Sequence, residues 1–257
     1  INIIPDKWHQ GLKTEFRNEI GEKNTYIENA RLAYGTEKYF IDFNPTYIHT
    51  DGEKNDGDYD YAYEKFGFSL GAGIKPAENL SFEFTSLFSD NDAALSSSPS
   101  LDMEHRLIKN QAFENQHHEN RFYHLGGVLS HTPNSFWDYT LKAGYGNTQR
   151  QYFWSDTSGD QSEHKGSTTY YEMQHNLYPT DWFTLTIGAD YEASDYQDQE
   201  PFDSYQGIYD PVTFDHEWDV WDVFSNLQFS FLDESLLMNI GGRYNDHEKF
   251  DAKGVWE

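Results

Sequence analysis

The feature that most constrains this chain is a strict alternation of apolar and polar side chains. It is clearest over residues 182–192, where every second residue is apolar and the residues between are small or charged. The apolar set is Phe183, Leu185, Ile187, Ala189 and Tyr191. A period of two is the side-chain repeat of a β-strand. Most of the chain repeats this pattern, so we expect an all-β protein whose strands are apolar on one face only.

The alternation predicts about eleven strands and the start of another near Val255. They cover residues 12–20, 26–34, 39–47, 66–74, 80–89, 123–129, 137–145, 168–177, 182–192, 222–231 and 236–245. Tight turns alternate with long connections, which are predicted over residues 50–60, 90–120, 147–166 and 193–219. An antiparallel up-and-down barrel in an outer membrane has this asymmetry, with tight turns at one rim and long loops at the other.

Composition is compatible with such a barrel. Hydrophobic residues make up 37% of the chain and the mean hydropathy is -0.85. No window approaches the roughly 18 apolar residues that a transmembrane helix requires, but barrel strands need only one apolar face. The formal charge of -26 argues against a nucleic-acid partner and favours cations. The absence of Cys excludes disulfides and thiolate metal sites.

Two other architectures give the same alternation. A complete smaller barrel of about twelve strands, a porin or an adhesin, would join its first and last strands in a hydrogen-bonded ladder. A soluble carbohydrate-binding β-sandwich would have two packed sheets and no outward aromatic belt. Rings at strand ends match the interfacial girdles of a membrane barrel; they are Tyr34, Trp137, Tyr178 and Trp182. Glycines at alternate polar positions, such as Gly71 and Gly73, leave space on the inner side.

Several short stretches resemble the TonB-dependent outer-membrane transporters. Residues 1–4 are similar to the hydrophobic end of that family's plug, and Thr36-Glu37-Lys38 resembles its first periplasmic turn. Residues 47–51 look like the start of its second loop, and residues 241–250 resemble a mid-barrel stretch that ends in a loop. The order and spacing are most similar to the cobalamin (vitamin B12) receptors, including the Asp90-Asn91-Asp92 stretch and the Ser/Pro-rich segment after it.

The resemblance implies a barrel of 22 strands filled by an N-terminal plug. Residues 1–10 would then be the end of the plug or a linker, and residues 11–257 a partial β-barrel domain. Because the chain begins at Ile1 without Met and ends where a strand begins, we expect a fragment that lacks the plug and the second half of the barrel. The parent would be a monomer in the outer membrane of a Gram-negative type of cell. Its partners would be lipid, TonB, its own plug and a small-molecule ligand, either cobalamin or a ferric or other metal chelate.

Acidic residues crowd the first long connection. Asp51, Asp56, Asp58 and Asp60 offer the carboxylate oxygens that calcium prefers. Their spacing is not that of an EF-hand, since Tyr61 replaces the glycine and Gly67 replaces the bidentate glutamate. The resemblance to cobalamin receptors favours calcium here, and a solvated acidic loop is the alternative.

Aromatic residues in or beside the long connections form a predicted capture surface for a ring-bearing ligand. Together with two carboxylates the predicted ligand-binding set is Tyr59, Tyr61, Asp90, Asp92, Trp154, Tyr205, Tyr209 and Trp218. The alternative is that these rings pack the loops together. A second set, on the polar face, is predicted to contact the plug: Lys13, Glu15, Arg17 and Arg243.

The sequence also contains histidines that could bind a metal, but it lacks two common catalytic motifs. His117 and His118 are adjacent and would point to opposite sides of an extended backbone. His105, His164 and His216 are predicted to lie in loops, where solvation is the usual role and capture of haem or a transition metal is the alternative. Neither Gly-x-Ser-x-Gly nor His-Glu-x-x-His occurs, so the chain is not predicted to be an enzyme.

Overall fold

A computed structural model gives the fold. It describes residues 8, 10–52, 62–94, 100–101, 107–108, 117–153, 161–200, 212–231 and 235–256. Eight residues of the predicted calcium and ligand-binding sets lie outside these ranges. They are Asp56, Asp58, Tyr59, Asp60, Tyr61, Trp154, Tyr205 and Tyr209. Within the described ranges, no helix is long and apolar enough to cross a membrane.

The described chain forms one large antiparallel sheet and one small hairpin. The strands are β1 (Gly11–Gly21), β2 (Thr25–Gly35), β3 (Tyr39–Thr50), β4 (Tyr63–Ala77), β5 (Leu80–Ala94), β6 (Ser100–Leu101), β7 (Leu107–Ile108), β8 (His117–Asn134), β9 (Trp137–Phe153), β10 (Gln161–Thr180), β11 (Phe183–Glu200), β12 (Val212–Phe231), β13 (Leu236–His247) and β14 (Phe250–Trp256). Twelve of them form the large sheet in chain order, and β6 pairs with β7 apart from it. The predicted antiparallel up-and-down fold is confirmed.

Aromatic rings border an apolar band on one face of the sheet. At the short-turn end, the ring of Trp182 stacks on Phe229 and Phe231 at 6.2 and 5.8 Å. At the other end, Tyr191 and Trp221 approach to 4.4 Å. The nine residue steps from Trp182 to Tyr191 span roughly 31 Å along the strand, or about 23 Å along the barrel axis at a tilt of about 40°. That height is close to the apolar band of about 25 Å on outer-membrane barrels. Tyr178 departs from the predicted girdle, because its hydroxyl donates to Asp138 Oδ2 at 2.6 Å and Asp138 lies on the polar face of the sheet.

Three of the predicted long loops are shorter than expected, because strands continue into them. β5 extends to Ala94 and β8 begins at His117, while β9 extends to Phe153 and β10 begins at Gln161. β11 and β12 likewise continue to Glu200 and from Val212. Most side chains on both faces of these extensions are polar, with Phe153 and Phe214 among the exceptions, so the alternation that marks a half-apolar strand stops before the backbone pairing does. The predicted alternation of short and long connections holds from β2 to β13, but the β1–β2 and β13–β14 connections are short although they lie on the rim of the long connections.

The large sheet has two open edges. It begins with β1 and ends with β14, and no ladder joins these two strands in the described residues. The predicted alternative of two packed sheets is wrong for the described chain, whose long strands all belong to one sheet. The exposed face includes Leu12, Phe16 and Ile20 of β1, which are 66%, 71% and 76% exposed. Such a surface needs another apolar environment, lipid or protein, to cover it.

Glycines on the polar face accommodate rings of the same sheet. A Cβ added at Gly73 would lie 2.3 Å from the ring of Phe40, which is buried and makes an edge-on contact with Trp8 at 4.9 Å. A Cβ added at Gly188 would lie 2.3 Å from the ring of Phe224 and 2.8 Å from the backbone oxygen of Met173. The space that was predicted to remain free on this face is filled by the sheet's own side chains at these two positions.

Gly188→Ala is therefore expected to lower the free energy of unfolding by about 1–2 kcal/mol, because the added methyl group forces Phe224 and the β10 backbone apart. Gly241→Ala is the matched control, since the nearest atom to its added Cβ is an ordinary 3.5 Å away. Urea unfolding of both variants in detergent, followed by tryptophan fluorescence, measures the difference. Equal stability of the two variants would contradict the close contact at Gly188.

Candidate functional site

At the height of the apolar band, most ion pairs of the sheet lie on its opposite, polar face. Cross-strand register places the polar residues of neighbouring strands opposite one another on this face: Arg31 faces Glu15, Asp190 faces Asp222, and Glu172 faces both Lys142 and Asp190. Charged groups at this depth are costly unless they are paired or hydrated. The polar face, with its paired charges, is therefore the candidate functional site.

The first cluster joins β1, β2, β3 and β4. Arg31 donates from Nη2 to Asp42 Oδ2 at 2.6 Å, and its Nη1 lies 3.9 Å from Glu15 Oε1. Asn44 donates from Nδ2 to Asp42 Oδ1 at 2.8 Å and to Ser69 Oγ at 3.3 Å. Asp42 is only 3% exposed. A buried carboxylate with an arginine and an amide donor is satisfied, so this cluster is a rigid part of the wall.

The second cluster is centred on Arg243 of β13. Its Nε donates to Asp222 Oδ1 at 2.7 Å, and its Nη2 reaches Asp190 Oδ2 at 3.3 Å. Asn245 donates from Nδ2 to Asp222 Oδ2 at 3.0 Å. Asp222 and Asp190 are directly opposite each other on β12 and β11. One arginine therefore bridges two carboxylates that would otherwise repel each other.

The second cluster continues across β11 to β9. Lys142 donates from Nζ to Glu172 Oε1 at 2.9 Å, and the hydroxyl of Tyr170 donates to the other oxygen of Glu172. Beside these groups lies an open cleft of about 440 Å³. Its lining residues are Tyr170, Glu172, Asp190, Glu192, Val220, Asp222, Phe224 and Arg243. A cleft with four acids and one arginine suits a cationic or hydrogen-bonding segment of a partner.

Beyond the apolar band, polar groups occur on the other face as well. Glu163 of β10 accepts hydrogen bonds from Gln149 at 2.7 Å, from Gln151 at 2.8 Å and from Lys165 at 2.5 Å. Burial alone would raise the pKa of the Glu163 carboxyl, but these three donors outweigh it and hold the pKa below its ordinary value. The carboxylate is thus ionised and fully hydrogen-bonded where the strands extend past the band.

The residues predicted to contact a plug all lie on the polar face. Lys13, Glu15 and Arg17 occupy alternate positions of β1, opposite Ala33, Arg31 and Asn29 of β2. Arg17 is 74% exposed and pairs with Glu19 on its own strand. Arg243 is held by Asp190 and Asp222 as described above. The structure thus gives these residues a shared face, and their contact with a plug stays a prediction.

Among the predicted ligand-binding residues, three lie in the described chain: Asp90 and Asp92 are neighbours on one face of β5, and Trp218 lies on the opposite face of the sheet. Asp90 and Asp92 belong to β5, not to a loop, and they follow Phe88 on the apolar side of that strand. Asp90 accepts a hydrogen bond from Arg121 Nη2 at 3.0 Å. Trp218 belongs to β12 and lies on the polar face, opposite Ser194. These predicted loop positions are wrong because the strands extend past the apolar band.

Asp51 is the described member of the predicted calcium set. Its Oδ2 accepts a hydrogen bond from Asn24 Nδ2 at 2.5 Å, and its Oδ1 lies 3.3 Å from His49 Nε2. Its backbone nitrogen donates to the oxygen of Lys23 at 2.9 Å. These contacts tie the end of β3 to the β1–β2 turn. Calcium binding by the four acids stays a prediction.

Sequence reasoning missed the acidic partners of the two arginine clusters. The alternation along β3 and β11 places Asp42 and Asp190 on the polar face, but it does not pair them with Arg31 and Arg243. The β2–β3 turn is short enough that its register could be counted, which would have brought Asp42 beside Ala33, next to Arg31. The β11–β12 register could not be counted, because the connection over residues 201–211 is long.

Comparisons with known proteins agree with this fold. No protein-family model and no curated protein matches the sequence. Among solved structures, the chain is similar to the ferripyoverdine receptor of the outer membrane of Pseudomonas aeruginosa, with a TM-score of 0.69 and 12% identity over 97% of this chain and 38% of that one. It is also similar to the ferric-catecholate import receptor Fiu from E. coli K12, with a TM-score of 0.67 and 8% identity over 93% of this chain and 42% of that one.

A third similar structure is the copper transporter OprC, with a TM-score of 0.64 and 13% identity over 98% of this chain and 42% of that one. The fold is therefore that of an antiparallel up-and-down transmembrane β-barrel. The chain spans about two fifths of the length of these three structures. At such low identities the likeness establishes the shared fold.

Proposed function

We propose that this chain is part of the barrel of a TonB-dependent outer-membrane transporter that takes up a scarce nutrient. The observation that carries the proposal is the division of one twelve-stranded sheet into an apolar band on one side and paired charges on the other. A wall with this division separates lipid from a hydrated, protein-filled interior. The similar structures are described as importers, transporters and receptors, which supports uptake over catalysis.

The open edges favour a larger barrel over a small closed one. An unpaired strand edge inside a membrane leaves backbone groups without partners, so β1 and β14 must pair with further strands of the parent. The paired charges of the polar face would contact the plug, through Lys13, Glu15, Arg17 and the Arg243 cluster. TonB would energise displacement of the plug, as the family resemblance implies.

The ligand we propose is cobalamin or a ferric or other metal chelate. The strands on either side of the long connections end at one rim, the predicted aromatic capture surface would lie there, and calcium at the first acidic connection would order that rim. The ligand would be bound without covalent chemistry and released to the lumen when the plug moves.

Uptake assays on cells that produce the full-length protein test this function. We expect energy-dependent accumulation of either radiolabelled cobalamin or a ferric siderophore, competed by the unlabelled compound and abolished in a matched strain that lacks TonB. A porin would instead let both compounds equilibrate without an energy source. Failure of both ligands to accumulate in the TonB-containing strain would show that the proposed function is wrong.

A further inference from the structure

A histidine and two acids converge on the polar face, in the part of the wall beyond the apolar band. His164 of β10 is directly opposite Asp198 of β11, and Glu200 is two residues further along the same face. One nitrogen of the imidazole and one oxygen of each carboxylate all lie within 4.8 Å of one another. The three side chains are only 25%, 26% and 41% exposed. These groups include the imidazole and carboxylate donors that transition-metal ions use in proteins.

Two atoms of the three groups already have a hydrogen bond, His164 Nδ1 with the Tyr196 hydroxyl and Glu200 Oε2 with Ser162, while Asp198 Oδ1 has none in the described residues. Asp198 Oδ1 is buried and lies 2.8 Å from His164 Nδ1, but in the described residues no donor has hydrogen-bond geometry to this oxygen. A buried carboxylate oxygen without a donor is costly unless a cation meets it. On the other side of the ring, His164 Nε2 lies 3.9 Å from Glu200 Oε1.

A neighbouring hydroxyl orients Glu200. Ser162 of β10 is 1% exposed, and its Oγ donates to Glu200 Oε2 at 2.6 Å. The bond holds one carboxylate oxygen and leaves Oε1 turned toward His164. Hydrogen bonds from such outer groups fix the orientation of metal ligands and raise metal affinity.

The surroundings of His164 are aromatic, and the nearest arginine is turned to other groups. The ring of Tyr152 meets His164 edge-on at 5.7 Å, and the hydroxyl of Tyr196 lies 3.4 Å from Nδ1. Arg150 is opposite His164 on β9, but its Nε donates to Asn120 Oδ1 at 2.5 Å. The local charge is therefore that of two carboxylates and an imidazole, with the Arg150 guanidinium and the rings of Tyr152 and Tyr196 nearby.

We propose that His164, Asp198 and Glu200 bind a divalent transition-metal ion of the zinc type. Tetrahedral ligand atoms at about 2.0–2.2 Å from zinc lie roughly 3.3–3.6 Å apart, so the side chains need to shift by only about 1 Å to close on the ion. Calcium takes oxygen ligands in greater number and is not selected by an imidazole. Three protein ligands leave a fourth position open to water or to a donor group of an incoming molecule. Ion binding here does not depend on the proposed uptake.

A second group of similar composition is less suited to this role. Asp92, His117 and Glu119 also bring their ligand atoms within 4.8 Å of one another. They lie on the apolar side of β5 and β8, where Glu119 is 46% exposed and Asp92 is exposed. The imidazole of His117 stacks on Phe153 at 4.3 Å and 8°. The more open position makes this group a useful comparison.

Zinc titration of the full-length protein in detergent micelles tests the proposal, with isothermal calorimetry for affinity and the visible absorption of bound cobalt for coordination. We expect His164→Gln, Asp198→Asn and Glu200→Gln each to weaken zinc binding by more than about tenfold, and Ser162→Ala by about tenfold. His124→Gln is the control, because His124 is a polar-face histidine of β8 outside both groups. Excess calcium should not displace the cobalt.

Circular dichroism establishes that each variant keeps its β-sheet. The proposal is overturned if the wild-type protein binds no zinc, or if folded His164→Gln binds zinc as tightly as the wild type. It is also overturned if His117→Gln, instead of His164→Gln, removes the ion. Because the readouts are binding and absorption, their failure is separate from a failure of nutrient uptake.

Discussion

Arg243→Met is expected to lower the free energy of unfolding by about 3 kcal/mol. The substitution keeps most of the aliphatic stem but leaves Asp222 and Asp190 facing each other, with side chains 6% and 14% exposed. Asn245 still donates to Asp222, but no described positive charge remains within salt-bridge distance of the pair. An uncompensated buried carboxylate costs far more than a lost surface ion pair, because it has been removed from water without a partner.

Arg17→Met is the matched control for this effect. Arg17 is also a polar-face arginine paired with an acid, but the two side chains are 74% and 44% exposed. Its loss is expected to change the stability by no more than about 1 kcal/mol. Urea unfolding of the full-length protein in lipid vesicles, followed by tryptophan fluorescence, measures both variants. A second substitution, Asp190→Asn, should restore part of the stability of Arg243→Met. Equal losses for the two arginines would contradict the bridging role of Arg243.

The strands of the apolar band could be predicted from sequence because one physical constraint acts on every second residue. Phe183, Leu185 and Ile187 must leave water, while Thr184 and Thr186 between them face the polar side. The same constraint ends at Glu192, where the strand leaves the band and both faces become polar. Backbone pairing continues to Glu200 nevertheless, since hydrogen bonding between strands does not require an apolar side chain. The loop boundaries were misplaced for this reason.

The candidate sites depend on which residues of neighbouring strands are opposite each other. The period of two along one strand does not give this pairing. His164 and Asp198 are opposite each other, and their strands are joined by a tight turn, so counting outward from that turn could have paired them. The register shift between Leu177 and Thr180 would still have made the counted pairing wrong by one residue. Asp222 is joined to Arg243 through the tight β12–β13 turn and could have been counted to Asn245, whereas Asp190 reaches Arg243 only across the long β11–β12 connection. The alternation of residue types therefore predicted which face of the sheet each side chain occupies. The register between strands determined which side chains contact each other.

Leu227→Lys is expected to lower the free energy of unfolding by about 2–4 kcal/mol if the apolar face contacts lipid. Leu227 is on β12 between the ring clusters near Trp221 and Phe231, opposite Leu185 and Ile240. A lysine there would have to leave its ammonium group in hydrocarbon or distort its stem to reach the interface. The penalty depends on depth and falls toward zero at the edges of the band.

Asn226→Lys is the control at the same depth. Asn226 precedes Leu227 and projects to the opposite, polar face, where its side chain is exposed beside Gly241. A lysine there remains hydrated and has only Thr186 and Gly241 opposite it, so the change in stability should stay within about 0.5 kcal/mol. Unfolding of the full-length protein from lipid vesicles compares the two. A difference of this size requires that the Leu227 face is covered by an apolar medium while the Asn226 face is hydrated. Equal penalties would mean that the two faces meet the same medium, and the assignment of the apolar band to the membrane would be wrong.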